Sequence, residues 1–286
     1  MKILITGSAG FVGKYLFMRL QHNHQVFGIS RRASVTTTHP MDITSENLSH
    51  VLDEIKPDII IHAAALTNVD YCETHQEETW KMNVDGTKNI VSWASQHAVK
   101  CIYISTYYVY AGKEKVYTEA SETLPVNFYG HTKLVAERLV SSLPDYTILR
   151  PASIFGYDPG GKNFLMQILS TQAPRKVVDD QISNHMDIEV LCDYVEGVIK
   201  KNIHGIYNIA GPTPANRFDF TLLIAEIFGL NKELFERIST AELRQIALRP
   251  LSNATDSSKL RTLLDYDCPK IEESLLRIKA KMNLTR

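Results

Sequence analysis

Short apolar runs and amphipathic stretches alternate through the first half of the chain. Lys2 to Thr6 is a run of aliphatic residues stopped by Gly7, which suits a buried strand. From Gly10 to Leu20 the apolar positions Phe11, Val12, Tyr15, Leu16 and Leu20 recur as on one face of a helix. Further strands are predicted from Gln25 to Ser30, Asp58 to His62, Lys100 to Ser105 and Tyr146 to Arg150. Helices are predicted from His75 to His97 and from Tyr129 to Ser142. Strands separated by helical patterns imply βαβ units and a parallel sheet covered on both faces. Right-handed crossovers then give an α/β fold with a doubly wound, Rossmann-type sheet.

After Pro151 the pattern loosens. Gly156, Pro159, Gly160 and Gly161 form a loop cluster. A late strand from His204 to Ala210 precedes Gly211-Pro-Thr-Pro, and Phe218 to Leu230 is helical with one apolar face. The expected division is a nucleotide-binding Rossmann domain over residues 1–156, to which 186–210 returns. Residues 157–286 then form mainly a smaller, mixed substrate-binding region. No internal repeat or low-complexity segment interrupts it.

Composition narrows the function by exclusion. Of 286 residues, 44% are hydrophobic and 22% charged, an ordinary globular balance that excludes disorder and fibrous folds. Lys plus Arg is 31 against 32 for Asp plus Glu. This near-neutral charge argues against nucleic acid and against a polybasic membrane patch. Cys72, Cys101, Cys192 and Cys268 form no CxxC pair, so they read as reduced thiols. The first apolar stretch breaks at Gly7, too early for a signal peptide, and no run is long enough to span a bilayer. The expectation is a cytoplasmic protein. The histidines show no metal-ligand spacing, so no metal is assigned.

The chemistry begins where the first strand ends. Gly7, Gly10 and Gly13 are spaced as G-x-x-G-x-x-G. Gly7 allows a tight turn, Gly10 lets the backbone approach a pyrophosphate, and Gly13 lets helix and strand pack closely. The helix that opens there offers free N–H groups and a positive dipole end. Its place between a strand and a helix points to dinucleotide binding. The second strand runs into Arg31 and Arg32 where an NAD-binding chain would carry an acid. Two arginines can hold a 2′-phosphate through charge-assisted bonds, which favours NADP(H) over NAD. Asp42 and Ile43 follow where a side chain could meet the adenine, although Asp42 could equally cap the next short helix.

Tyr129 and Lys133 stand four residues apart, on one face of a predicted helix. A phenol titrates near pH 10, and a nearby ammonium lowers that value, which suits proton transfer. Thr106 follows the fourth strand, at the carboxyl end of a parallel sheet, where ligands bind. It is placed to hydrogen-bond a substrate oxygen. His62, among apolar residues, reads as a packed core histidine. Tyr107 and the aromatics after it could line a sugar or base site or belong to the core. Asn163 could touch substrate or cap the apolar helix after it. Arg249 could meet a diphosphate or serve a structural loop.

Together these residues resemble the extended short-chain dehydrogenase/reductases, and within them the dTDP-4-dehydrorhamnose reductase-like branch. The resemblance runs through Ile61 to Asp70, Asn83 to Thr87, Ser105-Thr106, Tyr129 to Lys133, Ile148 to Pro151, Val177 to Gln181, Gly205 to Asn208 and Arg249-Pro250. It implies NADPH-dependent reduction of a 4-keto group on a nucleotide-activated sugar. Gly7, Gly10 and Gly13 would carry the pyrophosphate, with Phe11 and Val12 opening the helix over it. Ala63, Ala64 and Ala65 would lie along the cofactor ribose. Lys133 would hold the nicotinamide ribose and lower the pKa of Tyr129, the proton donor, while Thr106 orients the ketone. Thr67, Thr106, Tyr107, Asn163 and Arg249 complete the candidate substrate contacts.

Three stretches depart from the branch. An Asp that commonly follows the hydroxyl residue is Tyr107 here, Arg-Thr-Ser-Trp reads Arg150-Pro151-Ala152-Ser153, and Gly-Ser-Pro-Thr reads Ser183-Asn184-His185-Met186. All three lie on the expected sugar side. Two other readings therefore stay open: a nucleotide-sugar epimerase on the same fold, and a non-catalytic NADP-binding subunit similar to the β subunit of methionine adenosyltransferase. A homodimer is left open as a partner.

Overall fold

The computed structural model describes residues 1–159, 161 and 163–284; Gly160 of the loop cluster lies outside the described residues. The strands β1 (Lys2–Thr6), β2 (Gln25–Ser30), β3 (His39–Pro40), β4 (Ile59–His62), β5 (Lys100–Ile104) and β6 (Tyr146–Pro151) join a late strand, Gly205–Ile209, in one sheet. Its order is Gly205–Ile209, β6, β5, β4, β1, β2, β3, and every pairing is parallel. The chain builds outward from β1 in one direction and then from β4 in the other. The carboxyl ends of β1 and β4 thus flank the topological switch point, where open α/β sheets bind ligands. Pro40 sits on the edge strand, where a missing N–H costs no ladder bond.

Successive side chains on a strand point to opposite faces. Ile3 and Ile5 pack with Leu16 and Leu20 of α1 (Phe11–Leu20), while Leu4 packs on the other side with Leu52, Ile90 and Trp93. Those last three come from α2 (Leu48–Ile55) and α5 (Gly86–His97). Each fully buried Leu or Ile contributes about 1.5–3 kcal/mol, so covering both faces fixes the layering. Between β4 and β5 lie α3 (Val69–Thr74), α4 (Gln76–Trp80), a π-helical turn over Lys81–Asp85, and α5. The stretch predicted as one helix from His75 is therefore underwound at its middle, where Asn83 is buried. After β5 come a 3₁₀ turn, Tyr107–Val109, and α6 (Phe128–Val140).

Beyond β6, α7 (Phe164–Leu169) and α9 (Arg217–Phe228) pack with the C-terminal helix Ile271–Leu284 around Phe155, Phe220, Ile224 and Leu275. Between α7 and α9 in sequence, α8 (Ile188–Lys200) lies against α1 and places Leu191, Val195 and Val198 in the same core as Ile3 and Ile5. Asp187 caps α8 and is bound by Arg277 Nη2 at 2.7 Å. No helix among the described residues is long and apolar enough to cross a membrane.

Candidate functional site

Gly7 has φ +70°, a left-handed conformation, and a Cβ there would stand 2.8 Å from the N and Cα of Ala64. Only glycine fits that turn. A Cβ at Gly13 would stand 2.3 Å from the carbonyl oxygen of Gly7, so Gly13 permits α1 to close on the loop. Gly10 is the N-cap of α1 and brings no capping side chain, and the first turn holds no acid. The loop and the start of α1 border an opening of about 130 Å³ lined by Gly7, Gly10, Ile29, Arg31, Arg32 and Ile43. Free N–H groups and a positive dipole end make this an anion cradle. The glycine geometry thus fits a dinucleotide. Phe11 turns its ring away, edge-on to Tyr15 at 5.5 Å, so its backbone rather than its side chain faces the loop end.

Arg31 and Arg32 are exposed on the rim. Arg31 Nη1 stands 3.9 Å from Asp42 Oδ2, while Asp42 Oδ1 accepts from the N and Oγ1 of Thr44, both at 2.9 Å. Asp42 thus caps a turn beside the groove, and its neighbours Met41 and Ile43 line it.

Ala63, Ala64 and Ala65 also line the groove and are held from behind. Thr6 Oγ1 accepts from Ala64 N at 3.2 Å and lies 2.6 Å from His62 Nδ1; His62 Nε2 lies 2.9 Å from Thr87 Oγ1, which donates to Asn83 O at 2.6 Å. A neutral His62 protonated on Nε2 satisfies every partner. Burial, with Lys133 nearby, pushes its pKa down to about 3. His62 is thus a packed core histidine. From the π turn, Asn83 accepts from Leu66 N at 2.8 Å, and its Nδ2 donates to Leu66 O and Thr132 Oγ1, both at 3.1 Å. One buried amide locks the β4 loop to α6. π turns recur at such sites, but a single helical stretch of sequence carries no signal for one.

A second opening shares Ala63 and Ala65 with the first and brings Thr67, Thr106, Tyr107, Tyr129 and Lys133 together. Asn127 caps α6, accepting from Gly130 N at 2.9 Å. A Cβ at Gly130 would stand 2.3 Å from Tyr108 O, so that glycine lets α6 meet the 3₁₀ turn. Tyr129 is buried and hydrogen-bonded to Thr106. Burial outweighs that bond and holds the phenol above its ordinary pKa. This differs from the expected lowering by Lys133. Lys133 Nζ instead donates to Ile104 O at 2.7 Å and lies over the Tyr103 ring, 4.1 Å from its centre. Burial lowers Lys133 to about 7, against the opposing pull of Glu137.

Beneath the pocket Glu137 receives Arg150 Nη2 at 2.6 Å and Ser105 Oγ at 2.5 Å, and Arg150 Nη1 donates to Tyr110 Oη at 2.9 Å. Sequence reasoning found Thr106 but not Ser105, which also lines the pocket.

Two candidate substrate contacts stand elsewhere. Arg249 is buried in an ion pair with Asp70, Nη2 to Oδ2 at 2.9 Å, and donates to Ala247 O at 2.8 Å. It ties its loop to α3 and does not line the pocket. Asn163 caps α7, accepting from Met166 N at 3.3 Å and donating to Gly156 O at 3.1 Å. Arg217 lines the pocket beside Lys133. It opens α9 just past the Gly211-Pro-Thr-Pro loop, at the carboxyl end of the last sheet strand. That position was the available signal.

The family described as RmlD substrate binding domain matches residues 1–284. The chain belongs to this family. It is 30% identical to dTDP-4-dehydrorhamnose reductase of Aggregatibacter actinomycetemcomitans, over 98% of both chains. A crystal structure of dTDP-4-dehydrorhamnose reductase from Bacillus anthracis in complex with NADP superposes with a TM-score of 0.89, at 27% identity, covering 98% of this chain and 99% of that one. Methionine adenosyltransferase 2 subunit beta of Bos taurus is 26% identical over 92% of this chain and 82% of its own. Within the RmlD family frame, the seven-stranded parallel sheet is the expected Rossmann-type architecture.

Proposed function

We propose that this chain reduces a 4-keto group on a nucleotide-activated deoxysugar with NADPH. The reductase names of its relatives support a sugar nucleotide as substrate. The observation that carries the reading is the meeting of Thr106, Tyr129 and Lys133 in one opening that shares Ala63 and Ala65 with the glycine groove. Gly7, Gly10 and the N–H groups of Phe11 and Val12 hold the pyrophosphate. Arg31 and Arg32 take the 2′-phosphate, Ile43 flanks the adenine, and Ala63 to Ala65 lie along the ribose. The bound nicotinamide supplies a hydride.

The protein supplies position and a proton. Thr106 orients the ketone oxygen against the phenol. Burial keeps Tyr129 protonated at neutral pH, which is the form that donates. As the proton leaves, the Thr106 hydroxyl supports the phenolate, and Lys133 holds the nicotinamide ribose from the next turn of α6. A positioned acid of this kind contributes about 10²–10⁴-fold.

Tyr129→Phe tests this directly. Turnover of a dTDP-4-keto sugar, followed by NADPH absorbance, should fall about 10²–10⁴-fold, while NADPH affinity by fluorescence titration stays within about twofold. Undiminished turnover would remove Tyr129 from the chemistry. The match to methionine adenosyltransferase 2 subunit beta favours one second reading, a regulatory NADP-binding subunit. A stable hetero-complex without turnover of any keto sugar would select it.

A further inference from the structure

Among the described residues the second opening is lined by no carboxylate, and its two charged side chains are Lys133 and Arg217. Lys133 is buried, donates through Nζ to Ile104 O, and is the residue assigned above to the nicotinamide ribose. Arg217 is half-buried, and its guanidinium makes no hydrogen bond or ion pair among the described residues. The nearest acid in sequence, Asp219, is engaged by Asn216 Nδ2 at 2.7 Å and by Arg237 Nη2 at 3.5 Å. The guanidinium is nevertheless held in place. It lies 5.1 Å from the centre of the Phe164 ring, and that ring stacks with Phe220 and His185, at 5.9 and 6.4 Å. His185 in turn stacks on Phe220 at 4.0 Å. Cation–π support of this kind fixes an arginine without neutralising it. Tyr107 lines the same opening as Arg217.

We infer that Arg217 is the anion-recognition residue of this pocket and takes a pair of anionic oxygens of the substrate in its guanidinium fork. The planar fork matches two such oxygens bidentately. The inference rests on reading the pocket as a sugar-nucleotide site. Within that class the oxygens come from the diphosphate or from a carboxylate on the sugar.

Calorimetric titration of the NADP-loaded protein tests it, with dTDP, thymidine, UDP-glucose and UDP-glucuronate as probes. Arg217→Ala should weaken dTDP more than tenfold and leave thymidine within twofold if the diphosphate is the partner. If the carboxylate is the partner, Arg217→Ala leaves dTDP unchanged and removes a preference for UDP-glucuronate over UDP-glucose. Arg217→Lys, which keeps the charge and loses the fork, should recover part of the lost affinity. The inference is overturned if Arg217→Ala alters none of these affinities, or if the wild type binds none of the anionic probes. NADP affinity should be equal in all three proteins. A wild type that fails to bind NADP(H) would overturn the reductase reading instead, and the same titrations run without cofactor would still decide Arg217.

Discussion

Replacing Glu137 by leucine strips the carboxylate from a buried guanidinium, that of Arg150. The side chains of Arg150 and Glu137 are 5% and 3% exposed and share three contacts of 2.6–3.2 Å. After the change Arg150 keeps only Tyr110, through its hydroxyl at 2.9 Å and its ring at 5.3 Å. Breaking a buried pair from one side costs about 3–5 kcal/mol, because the remaining charge is buried without compensation. At roughly 2 °C per kcal/mol for a chain of this size, the melting temperature should fall by about 6–10 °C. Removing both charges, with Glu137→Leu and Arg150→Met, should cost less than either single change, since no unpaired ion remains. Urea unfolding followed by circular dichroism gives the four corners of the cycle. A loss under about 1 kcal/mol for Glu137→Leu, or strict additivity in the double variant, would refute the reasoning.

Other outcomes follow from the same geometry. Gly7→Ala meets both a left-handed backbone and a 2.8 Å approach to Ala64, so it should cost at least about 2 kcal/mol and weaken NADP binding more than tenfold. Thermal melts with and without NADP measure both, and a wild-type profile would refute the cradle. Arg31→Ala with Arg32→Ala should weaken NADPH at least tenfold and NADH less than threefold; equal weakening in titrations would reject a 2′-phosphate contact. His62 and His185 are each held near pKa 3 by burial, against 6.5 ordinarily. Between those values the unfolded chain binds protons that the native chain refuses, so stability falls as pH drops from 6.5 toward 3. The loss is about 2 kcal/mol per histidine by pH 5. In His62→Gln the slope of stability against pH should shrink by one proton, measured by urea unfolding from pH 5 to 7. An unchanged slope would show that His62 takes no part in the linkage.

The glycine loop was legible in the sequence because its chemistry is local. Gly7, Gly10 and Gly13 lie within one strand-turn-helix unit, and chain order fixes their geometry. Tyr129 and Lys133 share a helix face for the same reason, and the main parallel strands were legible as continuous apolar runs. Sequence patterning did not show the protonation of that pair. Burial of Tyr129, and the attraction of Lys133 to Ile104 O, depend on neighbours far along the chain. The π turn at Asn83 likewise answers to Leu66 and Thr132, which no helical periodicity encodes.

On the substrate side the tertiary structure decided nearly everything. Arg249 and Arg217 look alike as sequence, each beside a late loop. Folding spends Arg249 on Asp70 and leaves Arg217 over Phe164 in the pocket. Asn163 and Asn216 both prove to be helix caps. Periodicity and short spacings act within single elements, so the sheet, the glycine loop and the helix that carries Tyr129 and Lys133 were all readable from the chain. Which charges meet a partner and which face a ligand is set by contacts between elements, and only the assembled fold defines those.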